Sequence, residues 1–349
     1  MRGPPPHCGG GPPAYGQGVP GAPRDETRTR EKEQPLLKLF YVCDVHGSNV
    51  CYRKFLNALP IYGVDVALLN GDLLGKVLIP LVEKPGGGRE CHLMGNHTEM
   101  NSADELAAVK KTIENAGYYW VEQARDEYEA TRADHSAVDR IFKERALQRI
   151  EEWLELADER LAGKSHQVYI CPGNDDWWEI DDMIARSQML HPCDGRVVDF
   201  ADYRMVSCSR SNPTPWDTPR EGPEDELTEH LEELCRRVGS TPRDFENVIF
   251  NFHVPPYGYA LDLCPRLDSQ MRMAAEEKIH AGSLGAKQVI EKYQPLLSLH
   301  GHIHESRGAQ KAGRTLMINP GSEYSEGILK GVVIMLEKKK IKDYVFTSG

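Results

Sequence analysis

The sequence predicts an α/β protein whose strands empty into one functional edge. Three observations lead there. Short apolar runs recur along the chain and break off at Asp, Asn or His; a Gly stands beside most of these breaks; and a long helical pattern precedes one of the runs, as a parallel βαβ connection requires. In open α/β sheets, ligands bind at the carboxyl ends of the strands.

Taken in order, residues 1–35 are Pro/Gly-rich and then charged. They lack the apolar stretch of a signal peptide and are expected to form a disordered tail. The run "LLKLFYVCDVHG" (36–47) reads as a buried strand entering a loop, and "VDVALLNGD" (64–72) repeats the form. An insertion follows over 77–165. Its "KVLIPLVE" and "ECHLMGNH" flank the tight turn "KPGGGR", predicting a hairpin. Ser102 with Glu105 three residues on makes a capping-box helix start. Val138, Ile141, Phe142, Ala146, Ile150, Trp153, Leu154, Ala157 and Leu161 recur at helical spacing, predicting a long amphipathic helix that ends at Ala162-Gly163-Lys164. Strands are expected again at 166–175, 247–256, 295–304 and 313–322, and a closing hairpin over 331–346. Residues 36–349 thus read as one domain that carries the insertion as a cap.

Composition narrows the function classes. The 349 residues are 40% hydrophobic and 27% charged, ordinary for a globular protein. With 53 acidic against 42 basic residues the net charge is −11, which disfavours extended nucleic acid and anionic membrane surfaces as partners. No apolar run reaches the roughly 18 residues needed to span a bilayer. The nine cysteines are scattered and include no CxxC pair, so they read as buried hydrophobes in a reducing, cytoplasmic setting rather than as a disulfide frame.

The strand ends carry Asp44-Val-His46, Gly71-Asp72, Gly173-Asn174-Asp175-Asp176, His253 and Gly301-His302-Ile303-His304. Carboxylate, neutral imidazole and amide oxygen together suit Mn²⁺, Fe²⁺ or Zn²⁺. In extended chain, residues two apart point to the same side, so Asp-x-His and His-x-His units can converge on one ion. A second Gly-Asn, in "LMGNHTEM" (93–100), competes for the third motif. It lies on the return arm of the expected hairpin, whereas "HQVYICPGND" is an apolar strand after a helix, and the latter is the better candidate. Cys43 and Cys171 face away from the motifs by strand alternation, and His300 reads as core.

This order of motifs resembles the calcineurin-like metallophosphoesterase superfamily, with "NPGS" (319–322) a further likeness to its bacterial and archaeal phosphodiesterase-type branch. The resemblance covers residues 36–349 apart from much of the insertion. It implies a four-layer α-β-β-α sandwich of two mixed sheets flanked by helices, with the hairpin and helices of the insertion near the active site. It also implies two divalent metal ions, manganese first, with iron, zinc or nickel as alternatives. Asp44, His46, Asp72 and His304 would hold one ion; Asp72, Asn174, His253 and His302 the other, with Asp72 bridging. The implied activity is hydrolysis of a small phosphodiester or nucleotide by a hydroxide held between the ions, with Asp72, Asp175 and His253 in the catalytic group. Asp175 stands where the superfamily has a His that serves the leaving group; it either takes that place or only orients a ligand or caps the next helix. Asn174, Asp175, Trp216, Arg220, Tyr257 and His97 are candidate substrate contacts, as are Thr214 and Arg307. A phosphomonoesterase, a nuclease, or a metal-free protein-interaction scaffold of the same fold are the competing readings.

Overall fold

A computed structural model describes residues 36–267 and 273–349. The expected tail over 1–35 lies outside them. Strand β1 (Leu37–Cys43) pairs in parallel with β2 (Val66–Asn70), and β2 in parallel with β7 (Gln167–Cys171). β8 (Leu190–Pro192) extends this sheet beside β7; on the other side β17 (Lys330–Glu337) and β18 (Lys340–Ser348) form the expected closing hairpin, antiparallel to β1. The second sheet runs β15 (Gly308–Ala312), β16 (Thr315–Asn319), β14 (Leu297–Leu299), β11 (Val248–Phe252), β10 (Tyr203–Cys208), β9 (Val197–Phe200), again with a parallel centre and antiparallel edges. A separate two-stranded ribbon pairs β12 (Leu263–Leu267) with β13 (Met273–His280).

Strand alternation sorts the side chains into layers. Leu39, Tyr41 and Cys43 point inward and meet Ile249, Leu299 and Ile318 of the second sheet. Phe40 and Val42 point outward, onto α1 (Asn49–Tyr62) and α4 (His135–Leu161). Phe250 and Phe252 of the second sheet pack on α6 (Glu224–Arg236) and α7 (Leu284–Tyr293). The result is the four-layer α-β-β-α sandwich. No helix of the described residues is long and apolar enough to cross a membrane, and the eight described cysteines are free, seven of them buried.

The insertion divides in two. Strands β3 (Leu78–Glu83), β4 (Arg89–Leu93), β5 (Asn96–Met100) and β6 (Tyr119–Gln123) make a small sheet in the order β5-β4-β3-β6, which buries Ile79, Leu81, Cys91, Leu93 and Met100 against Ile113 of α2 (Ala103–Asn115). Ser102 caps α2 as its sequence predicts, accepting from Glu105 N at 3.2 Å. A short helix, α3 (Arg125–Ala133), then leads into α4. This last helix is part of the main sandwich: Ala146, Ile150, Trp153, Leu154, Ala157 and Leu161 all enter the core over the first sheet. Finally α5 (Glu179–Ile184) follows β7.

The small sheet meets the strand ends backbone to backbone. A Cβ at Gly75 would stand 2.0 Å from Gly117 O, and one at Gly117 2.1 Å from His46 O. Tyr119 seals this seam, its hydroxyl accepting from Gly75 N at 2.7 Å.

Candidate metal centre

The loops after β1 and β2 are zipped by backbone bonds from His46 N to Asp72 O and Gly47 N to Leu73 O, both 2.8 Å. Asp44 (φ 54°), His46 (φ 39°), Asp72 (φ 33°) and His302 (φ 66°) all sit in the left-handed region. Such strain in non-Gly residues persists only where surrounding structure enforces it, and it gathers at functional sites. The expectation that Asp-x-His converges because the chain is extended is therefore corrected: a tight turn aims both side chains, not strand alternation.

Two ligand groups result, with candidate ligand atoms within 4.8 Å of one another in each: Asp44, His46, Asp72 and His304; and Asp72, His253 and His302. Asp72 faces both. Its Oδ2 lies 3.4 Å from His46 Nε2, and its Oδ1 3.5 Å from His253 Nε2. Asn174 joins the second group, its Oδ1 standing 2.9 Å from His253 Nε2 and 2.7 Å from His302 Nδ1. The amide is oriented by Thr218, whose hydroxyl accepts from Asn174 Nδ2 at 2.7 Å and donates to Glu221. Glycine leaves room for this crowding. A Cβ on Gly71 would fall 2.1 Å from His253 Nδ1, and one on Gly173 2.2 Å from Asp72 Oδ1.

The "NPGS" turn supports the site from behind. Asn319 Nδ2 donates to Gly301 O and Ile303 O at 3.2 and 3.0 Å, and Ser322 Oγ donates to Asp44 O at 2.6 Å. Asp176 ties the second and third motif loops, its carboxylate accepting from Leu73 N, Leu74 N and Gly173 N at 2.8–3.0 Å. Burial pushes its carboxyl up to about 6.

Burial governs the electrostatics throughout. It drives His46 and His253 well below the ordinary imidazole range, His302 to about 4 and His304 to about 3, so the rings are neutral and their lone pairs free. It raises the Asp44 carboxyl to about 7 and Asp72 well above the usual carboxylate range. The arrangement fits divalent cations on its own terms. His46 Nδ1 lies 3.2 Å from Leu74 O; donating there leaves Nε2 with a lone pair turned toward the Asp72 carboxylate and His304 Nε2, 3.1 Å away. The buried His253 Nδ1 has no hydrogen-bond partner. Neutral imidazoles and an amide oxygen gathered around two carboxylates form a donor set that suits divalent cations.

The other candidates are placed as follows. Asp175 forms an ion pair with Lys76 at 2.6 Å, and its backbone N donates to Asp72 Oδ1 at 3.1 Å; helix α5 starts after Trp178, so Asp175 does not cap it. Trp216 is 63% exposed and lines a cavity beside Asp175. Thr214 is bound to Glu221 within its own loop. Arg220 is not a substrate contact. Its guanidinium is fully buried, paired with Asp181 at 2.7 Å and Asp194 at 3.2 Å, and donates to Asp176 O and Trp177 O, so it ties the 211–221 loop to the third motif. His97 is on β5, paired with Glu90 in an exposed Glu90–His97–Glu99 group apart from the two ligand groups. Tyr257 packs on the ring of His280. Arg307 donates to Thr347 O and stacks on Phe346. His300 is core, bonded to Phe252 O, Val254 O and Ser298 Oγ.

Sequence reasoning misses Lys76, Thr218 and Tyr324. Tyr324 packs its ring 4.5 Å from that of His46 and 5.9 Å from that of His304. Lys76 had one usable signal, a cation four residues after Asp72 on the same loop; Thr218 and Tyr324 had none.

No family model matches the chain. A curated relative, an uncharacterized protein of Methanocaldococcus jannaschii, is 28% identical over 156 residues, which is 44% of this chain; the match spans 63% of the relative's length. One solved crystal structure aligns over 90% of this chain and 99% of its own at a TM-score of 0.51, with 13% identity. A dimetal phosphatase from Danio rerio aligns over the same shares, at 10% identity and a TM-score of 0.41, too loosely to add to this. The likeness is one of fold: the chain shares with that structure an architecture of two mixed sheets with flanking helices.

Proposed function

We propose that the protein is a metal-dependent phosphoesterase acting on small phosphodiesters, with two divalent cations, manganese first among them. The observation that carries this reading is the Asp72 carboxylate, which turns one oxygen to each of two ligand groups built from buried and half-buried neutral imidazoles. Asp44, His46, Asp72 and His304 would hold one cation, and Asp72, Asn174, His253 and His302 the other. When bound, such a pair of cations would supply polarisation of a phosphoryl group and activation of a water at neutral pH.

The chain's own residues do the rest. Asp72 keeps both sites in register, assisted by the Asp175 N–H on its Oδ1. Thr218 turns the Asn174 oxygen inward. His253 is wholly buried beside Asp72 and would serve there as a holder. Around the metals Lys76 adds one positive charge and Asp175 one negative charge. That near balance supports a singly charged diester over a dianionic monoester. Without a His at position 175, esters whose leaving group needs a proton react slowly. The acidic surface disfavours extended nucleic acid, and the free cysteines accord with a reducing, cytoplasmic compartment.

The test is metal analysis of purified protein, joined to a panel of mono- and diesters assayed with Mn²⁺, Fe²⁺, Zn²⁺, Ni²⁺ and Mg²⁺. About two metals per chain and faster turnover of bis(4-nitrophenyl) phosphate than of 4-nitrophenyl phosphate are expected. A chain that takes up no metal and hydrolyses neither is a protein-interaction scaffold instead.

A further inference from the structure

We propose that the cavity beside Asn174 is the subsite for a planar aromatic group of the substrate, so that the ester class it takes is nucleotide-like, with Lys76 anchoring the phosphate. This rests on the phosphoesterase reading above. The cavity measures about 310 Å³, at the lower end of what small organic ligands occupy. Four separate segments build it, the first being Leu74, Gly75 and Lys76 of the loop after β2. Phe142 comes from α4, Trp177 from the loop after β7, and Trp216 and Thr218 from the 211–221 loop. Lys76 and Asp175 complete its polar end.

Position fixes which part of a ligand lies where. Asp175 follows Asn174 directly, and Thr218 holds the Asn174 amide, so the polar end of the cavity is continuous with the second ligand group. A phosphate held there places its ester substituent along the aromatic wall. The wall suits a flat ring. Phe142 and Trp177 meet edge to face, 5.8 Å apart at 87°, and Trp216 is 63% exposed although it borders the cavity. A large indole left in water gains when a ring covers it. Any base can stack on such a surface, and one stacked base is worth roughly tenfold or more in affinity. Lys76, on the loop after β2, presents an ammonium 2.6 Å from Asp175 Oδ2, where it can exchange part of that pairing for a phosphoryl oxygen.

The experiment is isothermal titration calorimetry of the full chain loaded with Mn²⁺, using AMP and ribose 5-phosphate, which share a phosphate and differ in the base. AMP is expected to bind at least ~10-fold more tightly. Trp216→Ala brings the two affinities together, and Phe142→Leu, which keeps apolar volume in α4, narrows the gap. Lys76→Met weakens both ligands by a similar factor and leaves their ratio. Equal affinities in the wild type, or an unchanged ratio in both Trp216→Ala and Phe142→Leu, overturn the proposal. The two readings separate cleanly. A protein that binds two metals and cleaves diesters but ignores the base keeps its activity assignment and loses the subsite. One that prefers AMP without taking up metal keeps the subsite and loses the phosphoesterase.

Discussion

In the proposed reaction Asp72 carries the most weight, because each of its oxygens faces one ligand group. Asp72→Asn removes the charge between the two ligand groups while leaving the backbone bonds of its loop intact. The expected result is a folded protein with depleted metal and a rate at least ~100-fold lower on bis(4-nitrophenyl) phosphate. Thr218 acts one bond further out. In Thr218→Val the Asn174 amide loses the acceptor that tells its nitrogen from its oxygen, and metal affinity at the second group should drop ~10–100-fold. Thr218→Ser restores it, and competition with a fluorescent chelator reads the difference. That Asp44, His46, Asp72, Asn174, His253, His302 and His304 would gather at one edge was legible in the sequence, because each follows an apolar strand beside a turn. Thr218 was not: its part depends on the fold bringing a loop 44 residues downstream against Asn174. Arg220 misled for the same reason, since an arginine in a Pro-rich loop looks exposed until its partners Asp181 and Asp194 are in place.

At the scale of elements, the long helix α4 is the instructive case. Its apolar positions were plain in the sequence, yet they could not say what they would pack against. They pack on α1 and the first sheet: Trp153 stacks on Tyr52 at 4.3 Å and 3°, and its indole N–H donates to Asn49 Oδ1 at 2.7 Å. Trp153→Ala should therefore cost ~3–5 kcal/mol of stability, seen as an earlier urea midpoint. A helix that only covered the cleft would lose far less. Accordingly, deleting the whole of 77–163 would open the main core; only β3–β6 and α2 form a unit with its own buried cluster. Some of the elements that the sequence reading did not place are short or interrupted. β8 has three residues, and α1 carries Pro60 in its last turn.

The whole molecule brings motifs from opposite ends of the chain to one edge and buries them there, with consequences for stability. Two buried carboxylates without cations are a burden on the fold, so metal should stabilise it: free Mn²⁺ at a hundredfold excess over Kd adds ~2.7 kcal/mol per site and makes Tm depend on metal concentration. Scanning calorimetry with and without EDTA checks this. Acid acts on a different group. His300, held neutral in the core, has its pKa lowered to about 4 by burial. The unfolded chain takes up that proton at about 6.5 and the folded one only near 4, so this contribution is whole above pH 6.5 and is lost as pH falls toward 4. Its full size is ~3 kcal/mol, with ~2 kcal/mol gone by pH 5. Urea midpoints at pH 7 and 5 should converge in His300→Gln relative to wild type.

The seam between the small sheet and the ligand loops bears on how the protein can vary. Gly75 and Gly117 meet with no side chain between them, and Gly117 leans on the carbonyl of His46 itself. Two segments distant in sequence thus answer to one spacing. In a saturation library read out by growth or by sorting, these two positions would admit a single residue type although neither touches a ligand atom. Alanine at Gly117 would also not be rescued by any one change at the metal groups, because the obstruction is main chain on both sides. To an alignment such positions look catalytic, but here they are a fit tolerance, and they mark the line along which a recombined or transplanted insertion would have to be cut.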